Sequence, residues 1–447
     1  MVEHVGIAVG KGTPGRGIKG RVSAGIRCAV VLGLLLVLVR TASVPPAGFF
    51  RQRLSEQTTG LVFDFAAWEV GAWLAKGGFA WLAPQDTLDE DARRQVVVEY
   101  MDAQRRANVL RDEIEGLYSR LDEQDAAGEA ASLQEALQQE RAWMAARQSL
   151  VEGILEEQVS TELQAEGMGR WGYVWPPVKI RFTELPLLLV ISARAEIRRE
   201  RDVDLKAGIP VLEQEALEAR VDGLSKDRRS LVTPIGGLSA YPAMILEIDS
   251  LVWLTDTFAH EWTHHYLVFH PLGMSYDRSG EMTSVNETTA SIVGREIGRR
   301  GITRYYTDRE PMLPELPEPP ESPPMNPGEL VWPDEPPADQ FDFGREMHVT
   351  RLRADELLAE GRVEEAEAYM EARRLVFVEQ GYRLRKLNQA YFAFYGSYAT
   401  NPSAANPIGG QLEWLRGQSA TLRAYLRTVS AFSSYEDLLA VLPRGAP

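Results

Sequence analysis

The stretch "LVWLTDTFAHEWTHHYLVFHPLG", from Leu251 to Gly273, governs the interpretation of the whole chain because it holds four of its six histidines. Asp249 and Ser250, two good helix N-cap residues, come directly before it, and Pro271 stops a helix near its end. Apolar residues recur between these signals at helical spacing. The stretch therefore predicts one continuous helix from Leu251 to Phe269.

His260, Glu261 and His264 form an H-E-x-x-H pattern on this helix. Residues four apart lie one turn above each other, so two imidazoles can bind one zinc ion while Glu261 reaches an adjacent water. The single cysteine, Cys28, lies in an N-terminal apolar run, so the rest of the chain offers no thiolate and must use His, Glu or Asp. The pattern predicts a site for one Zn²⁺ ion, with Glu261 as general base.

A third protein ligand must come from outside this motif, since a hydrolytic zinc ion keeps three protein ligands and one open position. The three-histidine variant H-E-x-x-H-x-x-G-x-x-H is not matched in full: His270 falls at the position of its third histidine, but Leu267 stands where the pattern has glycine and Pro271 ends the helix beside His270. We interpret His270 as marking the helix end, and the role of His265 stays open. The downstream segment "GEMTSVNETTASIVGREIGRR" offers two carboxylates, Glu281 and Glu287.

Glu287 is the favoured third ligand because we place it in the first turn of a second helix with a stripe of small residues. Such a stripe lets two helix backbones approach closely; its members are Ala290, Ser291, Gly294 and Gly298. A competing structural role exists, because Ser284 and Glu287 also fit the capping box S-x-x-E. One carboxylate cannot fill both roles.

The rest of the chain predicts an α+β fold that is predominantly helical. A small mixed sheet precedes a two-helix zinc site and a C-terminal helical region. An antiparallel helical hairpin is expected from about Asp86 to Glu166, broken near Gly128. We divide the chain into a signal peptide or membrane anchor (1–45), a helical region with the hairpin (46–170), a catalytic core (171–300), a proline-rich acidic linker or loop (301–342) and a C-terminal helical region (343–447).

The N-terminus predicts export. Basic residues precede the apolar run "CAVVLGLLLVLV", Cys28 to Val39, which fits a cleaved signal or a retained anchor; we favour the anchor because Arg40 and nearby prolines make a poor cleavage site. The expected location is the cell envelope, with the catalytic part outside the cytoplasm, or secretion if the segment is cleaved. A second apolar stretch, 60–83, is either an interfacial segment or a buried helix. The net charge of −16 argues against nucleic acid as a partner.

The paired motifs "HEWTHH" and "NETTA" resemble those of the gluzincin zinc peptidases, which carry H-E-x-x-H on one helix and N-E-x-x-[SA] on the next. Together with the C-terminal helical region, the chain resembles a group of bacterial predicted aminopeptidases. The resemblance implies a thermolysin-like core, His260, His264 and Glu287 as zinc ligands, Glu261 as general base, and a peptide or protein substrate. Its motif part covers about forty residues, and the 22-residue gap between His264 and Glu287 is somewhat longer than in thermolysin-like enzymes.

Two further expectations concern substrate binding, and two alternatives compete with the peptidase. The strand "SAYPAMIL" before the zinc helix is a candidate edge for pairing with an extended peptide. The donor to a tetrahedral oxyanion is left open among Tyr391, Tyr395, Tyr398 and His348. One alternative is a helical membrane-associated scaffold or partner-binding protein with a vestigial metal site; the other is a zinc hydrolase that does not act on peptides.

Overall fold

The computed structural model describes residues 49–82, 84–118, 126–309, 341–398 and 403–443, with scattered positions from 313 to 324. The chain divides into two compact units, Met1–Gln52 and Arg53–Pro447. The first unit is described only from Phe49, so the predicted export segment and Cys28 lie outside the described residues. Within the described part, no helix combines the length and apolar character needed to cross a membrane.

Within the described residues four α-helices precede the strands, and the last two form the predicted hairpin. Arg93 on the first helix of the hairpin pairs with Glu157 on the second, and Arg106 pairs with Glu140. Residue numbers on the second helix therefore fall as those on the first rise, which identifies an antiparallel pair. The second helix of the hairpin begins at Ala126, two residues before Gly128, so the break was predicted slightly too late in the chain. The helices are α1 (Phe49–Thr58), α2 (Phe65–Leu82), α3 (Glu90–Tyr118) and α4 (Ala126–Ala165).

Helix α2 comes from the second apolar stretch and is joined to the rest of the second unit by polar contacts. Trp73 donates its indole N–H to the carbonyl of Tyr241 at 3.0 Å. Lys76 is buried between two carboxylates of α4, at 3.1 Å from Glu152 and 2.6 Å from Glu156. A buried charge is stable only when it is paired in this way. The opposite face of the helix is open, with Val70 61% and Leu74 76% exposed, so only the face that carries Trp73 and Lys76 fits the buried-helix interpretation.

The strands found in the described part of the chain form two three-stranded sheets and one short hairpin, where the sequence predicted a single small sheet. One sheet has the order β3-β8-β7 with β3 parallel to β8, and the other has the antiparallel order β5-β4-β6. The strands are β1 (Gly169–Arg170), β2 (Tyr173–Val174), β3 (Ile180–Phe182), β4 (Leu187–Ala193), β5 (Arg199–Leu205), β6 (Arg228–Pro234), β7 (Gly237–Leu238) and β8 (Ala243–Ile245). Helix α5 (Val211–Asp222) connects β5 to β6.

Buried glutamates close one edge of each sheet. Glu156 and Glu152 on α4 accept hydrogen bonds from the backbone N–H groups of Ile180 and Phe182 on β3, at 2.9 and 2.8 Å. Glu218 on α5 accepts the N–H of Val232 on β6 at 2.6 Å. An open strand edge carries unsatisfied donors, and these carboxylates satisfy them.

The outer strands β5 and β7 therefore lie at the opposite edges of the two sheets. The segment "SAYPAMIL" contributes β8, the middle strand of its sheet, so the prediction that it forms an edge is wrong. Strand β8 is internal because β7 pairs along its outer side. With only two residues, β7 is too short for an alternation of apolar and polar residues to reveal it.

The other described elements of the second unit are helices, in agreement with the predicted α+β class. One main core of apolar side chains draws on α3 and α4, on β3 and β8, on the motif helices and on the C-terminal helices. The remaining helices are α6 (Leu251–Leu267), α7 (Pro271–Met274), α8 (Gly280–Tyr305), α9 (Phe343–Ala359), α10 (Val363–Glu379), α11 (Gln389–Tyr395), α12 (Ile408–Gln418), α13 (Leu422–Val429) and α14 (Tyr435–Val441).

Described positions of the proline-rich tract contact this core region. The carbonyl of Pro324 accepts a hydrogen bond from Gln411 on α12 at 2.8 Å, and Leu313 packs against the main core. Such contacts are expected of a surface loop that packs on the domain and not of a linker that makes no contact with it.

Candidate metal centre

The H-E-x-x-H helix forms as the sequence predicts. Helix α6 begins after Ser250, whose hydroxyl accepts the N–H of Trp253 at 3.3 Å, and it ends at Leu267, two residues before the predicted end. His270 accompanies that end, with its Nδ1 at 2.9 Å from the carbonyl of Tyr266. The N-cap and the role of His270 at the helix terminus are therefore confirmed.

Helix α8 begins earlier than predicted, and this removes the competing role of Glu287. The N-cap is Ser279, which accepts the N–H of Met282, so the helix starts at Gly280. Glu287 lies about two turns inside the helix, and the predictions that it sits in the first turn and that Ser284 caps the helix are both wrong. The Glu287 carboxylate does not cap the helix, and it points toward α6.

The small-residue stripe brings the backbones of α6 and α8 together. A Cβ atom at Gly294 would lie 2.7 Å from the carbonyl oxygen of Asp256, and one at Gly298 would lie 2.8 Å from the backbone nitrogen of the same residue. Such separations are shorter than van der Waals contact, so only glycine fits at either position. The predicted role of the stripe is confirmed, because it brings Glu287 within reach of the neighbouring helix.

His260, His264 and Glu287 converge on one point. The two Nε2 atoms are 3.1 Å apart, and Oε2 of Glu287 lies 3.4 Å from that of His260 and 3.5 Å from that of His264. Ligands at about 2.0–2.1 Å from a tetrahedral Zn²⁺ ion stand about 3.3 Å from one another. Oε2 is also buried without a hydrogen-bond partner. The three donor atoms therefore fit a single zinc ion.

Neighbouring side chains orient the two imidazoles. Nδ1 of His264 lies 2.8 Å from Oδ1 of Asn286, which accepts its proton and so leaves the Nε2 lone pair free for a metal. Nδ1 of His260 has a longer contact of 3.5 Å with the hydroxyl of Ser291, which itself donates to the carbonyl of Glu287. Asn286 and Ser291 thus favour the tautomers that a zinc site needs.

Glu261 lies beside this cluster and against the outer strand β7. It is 5% exposed, and a Cβ atom at Gly237 would lie 2.3 Å from its Oε1. The glycine therefore leaves the space that the carboxylate occupies. Burial raises the pKa of Glu261, while the charges of His260 and His264 oppose the rise.

The residues of the cluster also shift one another's pKa values. Burial lowers the pKa of His264, but the Glu287 carboxylate outweighs this and raises it to about 9. Burial alone would raise the pKa of Glu287, yet the two histidines hold it well below its ordinary range. A proton shared in this way must leave before a metal can bind, so metal affinity is coupled to pH.

Two of the remaining predicted site residues lie elsewhere. Nε2 of His265 donates to the carbonyl of Ala240 at 2.6 Å, and burial lowers the pKa of His265 to about 4, so this histidine is a neutral packing residue. Glu281 is exposed in the first turn of α8, away from the three donor atoms.

The four candidate oxyanion donors all have partners in the fold, and the pKa of one of them is also raised by charges of the cluster. The Tyr395 hydroxyl bonds Thr233 at 2.8 Å, His348 bonds the carbonyl of Ala404 at 3.0 Å, and Tyr391 packs into a separate core with Phe392. Tyr398 lies edge-on to Phe394, with ring centroids 5.9 Å apart, and burial together with the charges of Glu287 and Glu261 raises its pKa well above the ordinary value.

Sequence reasoning missed Tyr276 and the role of Gly237. The Tyr276 hydroxyl donates to Oε1 of Glu287 at 2.6 Å, from a short 3₁₀ turn (Tyr276–Arg278) between α7 and α8. Neither residue belongs to a spaced motif, and only the position of Tyr276 within the 22-residue segment between His264 and Glu287 could have drawn attention to it.

Comparison of the chain with protein-family models, with curated proteins and with solved structures finds no match. The function of the chain is therefore inferred from the geometry and chemistry of this site.

Proposed function

We propose that the protein is a zinc-dependent peptidase with a gluzincin-like core, exported and tethered to the membrane through its N-terminal segment. The observation that carries this proposal is the convergence of His260 Nε2, His264 Nε2 and Glu287 Oε2, with Glu261 buried beside them. A hydrolytic zinc site needs three ligand atoms and a neighbouring carboxylate from the protein, and these residues provide them.

Glu261 is the general base of the proposed reaction. A zinc ion in such a site supplies Lewis acidity, which polarises a peptide carbonyl and makes water nucleophilic near neutral pH. Burial raises the pKa of Glu261, and this brings the carboxylate closer to the range in which it can accept a proton from water and return it to the leaving amine. The space left by Gly237 lets the carboxylate take up this position.

Tyr398 is the proposed donor to the oxyanion. Its pKa responds to both Glu287 and Glu261, which places its phenol in the electrostatic environment of the cluster. A neutral phenol can donate a hydrogen bond to developing negative charge. Tyr391, Tyr395 and His348 have the other partners described above.

The outer strand β7 is the proposed edge for an extended peptide. It pairs with β8 on one side only and carries Gly237, which touches Glu261. A peptide that adds to this edge by backbone hydrogen bonds would have its carbonyl groups close to the general base.

Hydrolysis by the Glu261→Gln variant tests the proposal. The full chain, loaded with zinc, should cleave members of a peptide library, and Glu261→Gln should lose at least about 100-fold in kcat/KM while it keeps its zinc, because it removes the proton acceptor. Glu281→Gln is the matched control, because it neutralises an exposed glutamate of the neighbouring helix, and it should cleave normally.

Each unfavourable outcome selects an alternative. A wild-type chain that binds no zinc would favour the scaffold or partner-binding protein with a vestigial site. A zinc-loaded chain that cleaves no peptide would favour a hydrolase of another substrate class. Cleavage of free peptides but not of N-acetylated ones would identify an aminopeptidase.

A further inference from the structure

The two carboxylate oxygens of Glu287 have different surroundings. Oε1 accepts the hydrogen bond of the Tyr276 hydroxyl at 2.6 Å. Oε2 faces the two histidine Nε2 atoms at 3.4 and 3.5 Å and has no hydrogen-bond partner. One oxygen is thus occupied by the protein, and the other is directed at the point where the histidines converge.

The start of α8 fixes the position of Tyr276. The carbonyl of Tyr276 accepts a hydrogen bond from the Thr283 hydroxyl at 2.8 Å, and Ser279, which caps the helix, follows three residues after the tyrosine. The Tyr276 ring also lies edge-on to the imidazole of His264, with centroids 6.4 Å apart and planes at 84°. The hydroxyl is therefore held against Glu287 by the same helix that carries Glu287.

We propose that Tyr276 is a positioning residue of the metal centre, whose hydroxyl holds Oε1 so that Glu287 binds zinc through Oε2 alone. The inference rests on the proposed zinc site but does not depend on the substrate. A phenol is neutral at pH 7 and donates to a carboxylate, as second-shell groups of metal sites commonly do. A carboxylate restricted to one oxygen occupies one coordination position and leaves the fourth one open.

The coordination of wild-type protein tests this inference directly. X-ray absorption of the zinc-loaded full chain should show two imidazoles and a single carboxylate oxygen. Carboxylate binding through both oxygens would overturn the proposal, and this measurement needs no variant to fold.

Tyr276→Phe supplies the second measurement, because it removes only the hydroxyl. We expect the zinc dissociation constant, measured by competition with a chelator, to rise about 10- to 100-fold. With Co²⁺ in place of zinc, the visible absorption should weaken as the released carboxylate rotates and coordination rises from four to five, since cobalt spectra report geometry.

Tyr306→Phe is the matched control. Its hydroxyl is buried and donates to Gln158 at 2.8 Å, but it contacts none of the three donor residues. It should lose a buried hydrogen bond and keep both the zinc affinity and the cobalt spectrum. If Tyr276→Phe also keeps both, the role of Tyr276 is refuted while the zinc site stands; if the wild type binds no zinc, the zinc site itself is refuted.

Discussion

Gly294→Ala tests whether the close approach of α6 and α8 sets the geometry of the metal centre. The added Cβ would lie 2.7 Å from the carbonyl oxygen of Asp256, about 0.7 Å short of ordinary contact, and 3.3 Å from Cβ of His260. The helices must separate by a substantial part of that distance, because the carbonyl belongs to a helical backbone and cannot rotate away.

The magnitude follows from the tolerance of zinc coordination. Ligand distances in zinc sites stay within about 0.2 Å of their ideal values, so a shift of several tenths of an ångström between the helices disturbs all three bonds. We expect the zinc dissociation constant to rise at least about tenfold. Overpacking costs roughly 1–3 kcal/mol of unfolding free energy, and the better helix propensity of alanine returns up to about 1 kcal/mol.

The assay compares Gly294→Ala with Gly301→Ala by chelator competition and by denaturant unfolding of the metal-free chain. Gly301 lies on the same helix, and a Cβ there meets no atom within 4 Å. Gly301→Ala should keep the zinc affinity and gain up to about 1 kcal/mol. If Gly294→Ala binds zinc as tightly as the control, the contact between the helices does not determine the site.

Three further predictions concern the general base, pH and the fold. Gly237→Ala should lower kcat/KM about 100-fold and keep its zinc, because the added Cβ would lie 2.3 Å from Oε1 of Glu261 and displace the carboxylate. A fall in zinc affinity as large as the fall in kcat/KM would contradict this. Zinc affinity should rise about tenfold per pH unit from pH 6.5 to 9 and then level off, because the pKa of His264 is about 9 in the metal-free chain and its proton must leave; a flat titration would refute the coupling. The same raised pKa stabilises the metal-free chain below pH 6.5, and the stabilisation should fade as the pH rises through 9. Lys76→Met should lower the unfolding free energy by roughly 1–3 kcal/mol in denaturant titrations, because it removes the buried cation between Glu152 and Glu156 and leaves them only the more exposed Arg181 and Lys179; an unchanged unfolding free energy would contradict this.

Local patterns predicted the helical parts of the site because the signals lie within a few residues of each other. Ser250 caps α6, and the spacing of His260 and His264 follows from helical geometry alone. The role of the glycine stripe on α8 was also predicted correctly, because small residues on a helix face indicate directly that another backbone can approach there. The helical hairpin and the α+β class followed from periodicity over long segments.

The failures concern features that depend on distant parts of the chain. The start of α8 was misplaced because Ser279 and Ser284 are both good caps, and the tertiary contacts of Tyr276 favour the earlier one. The two sheets were predicted as one because short strands such as β7 have no alternation to detect. The role of Gly237 depends on Glu261, which lies 24 positions later and meets it only in the folded chain.

Metal stoichiometry tests the central claim most directly. Purified wild-type chain and the Glu287→Gln and Glu281→Gln variants can be equilibrated with zinc at pH 8, and the bound metal counted. We expect one zinc ion per chain in the wild type and in Glu281→Gln, and a loss of at least about tenfold in zinc affinity in Glu287→Gln. A wild-type chain without zinc, or equal affinity in all three proteins, would contradict it.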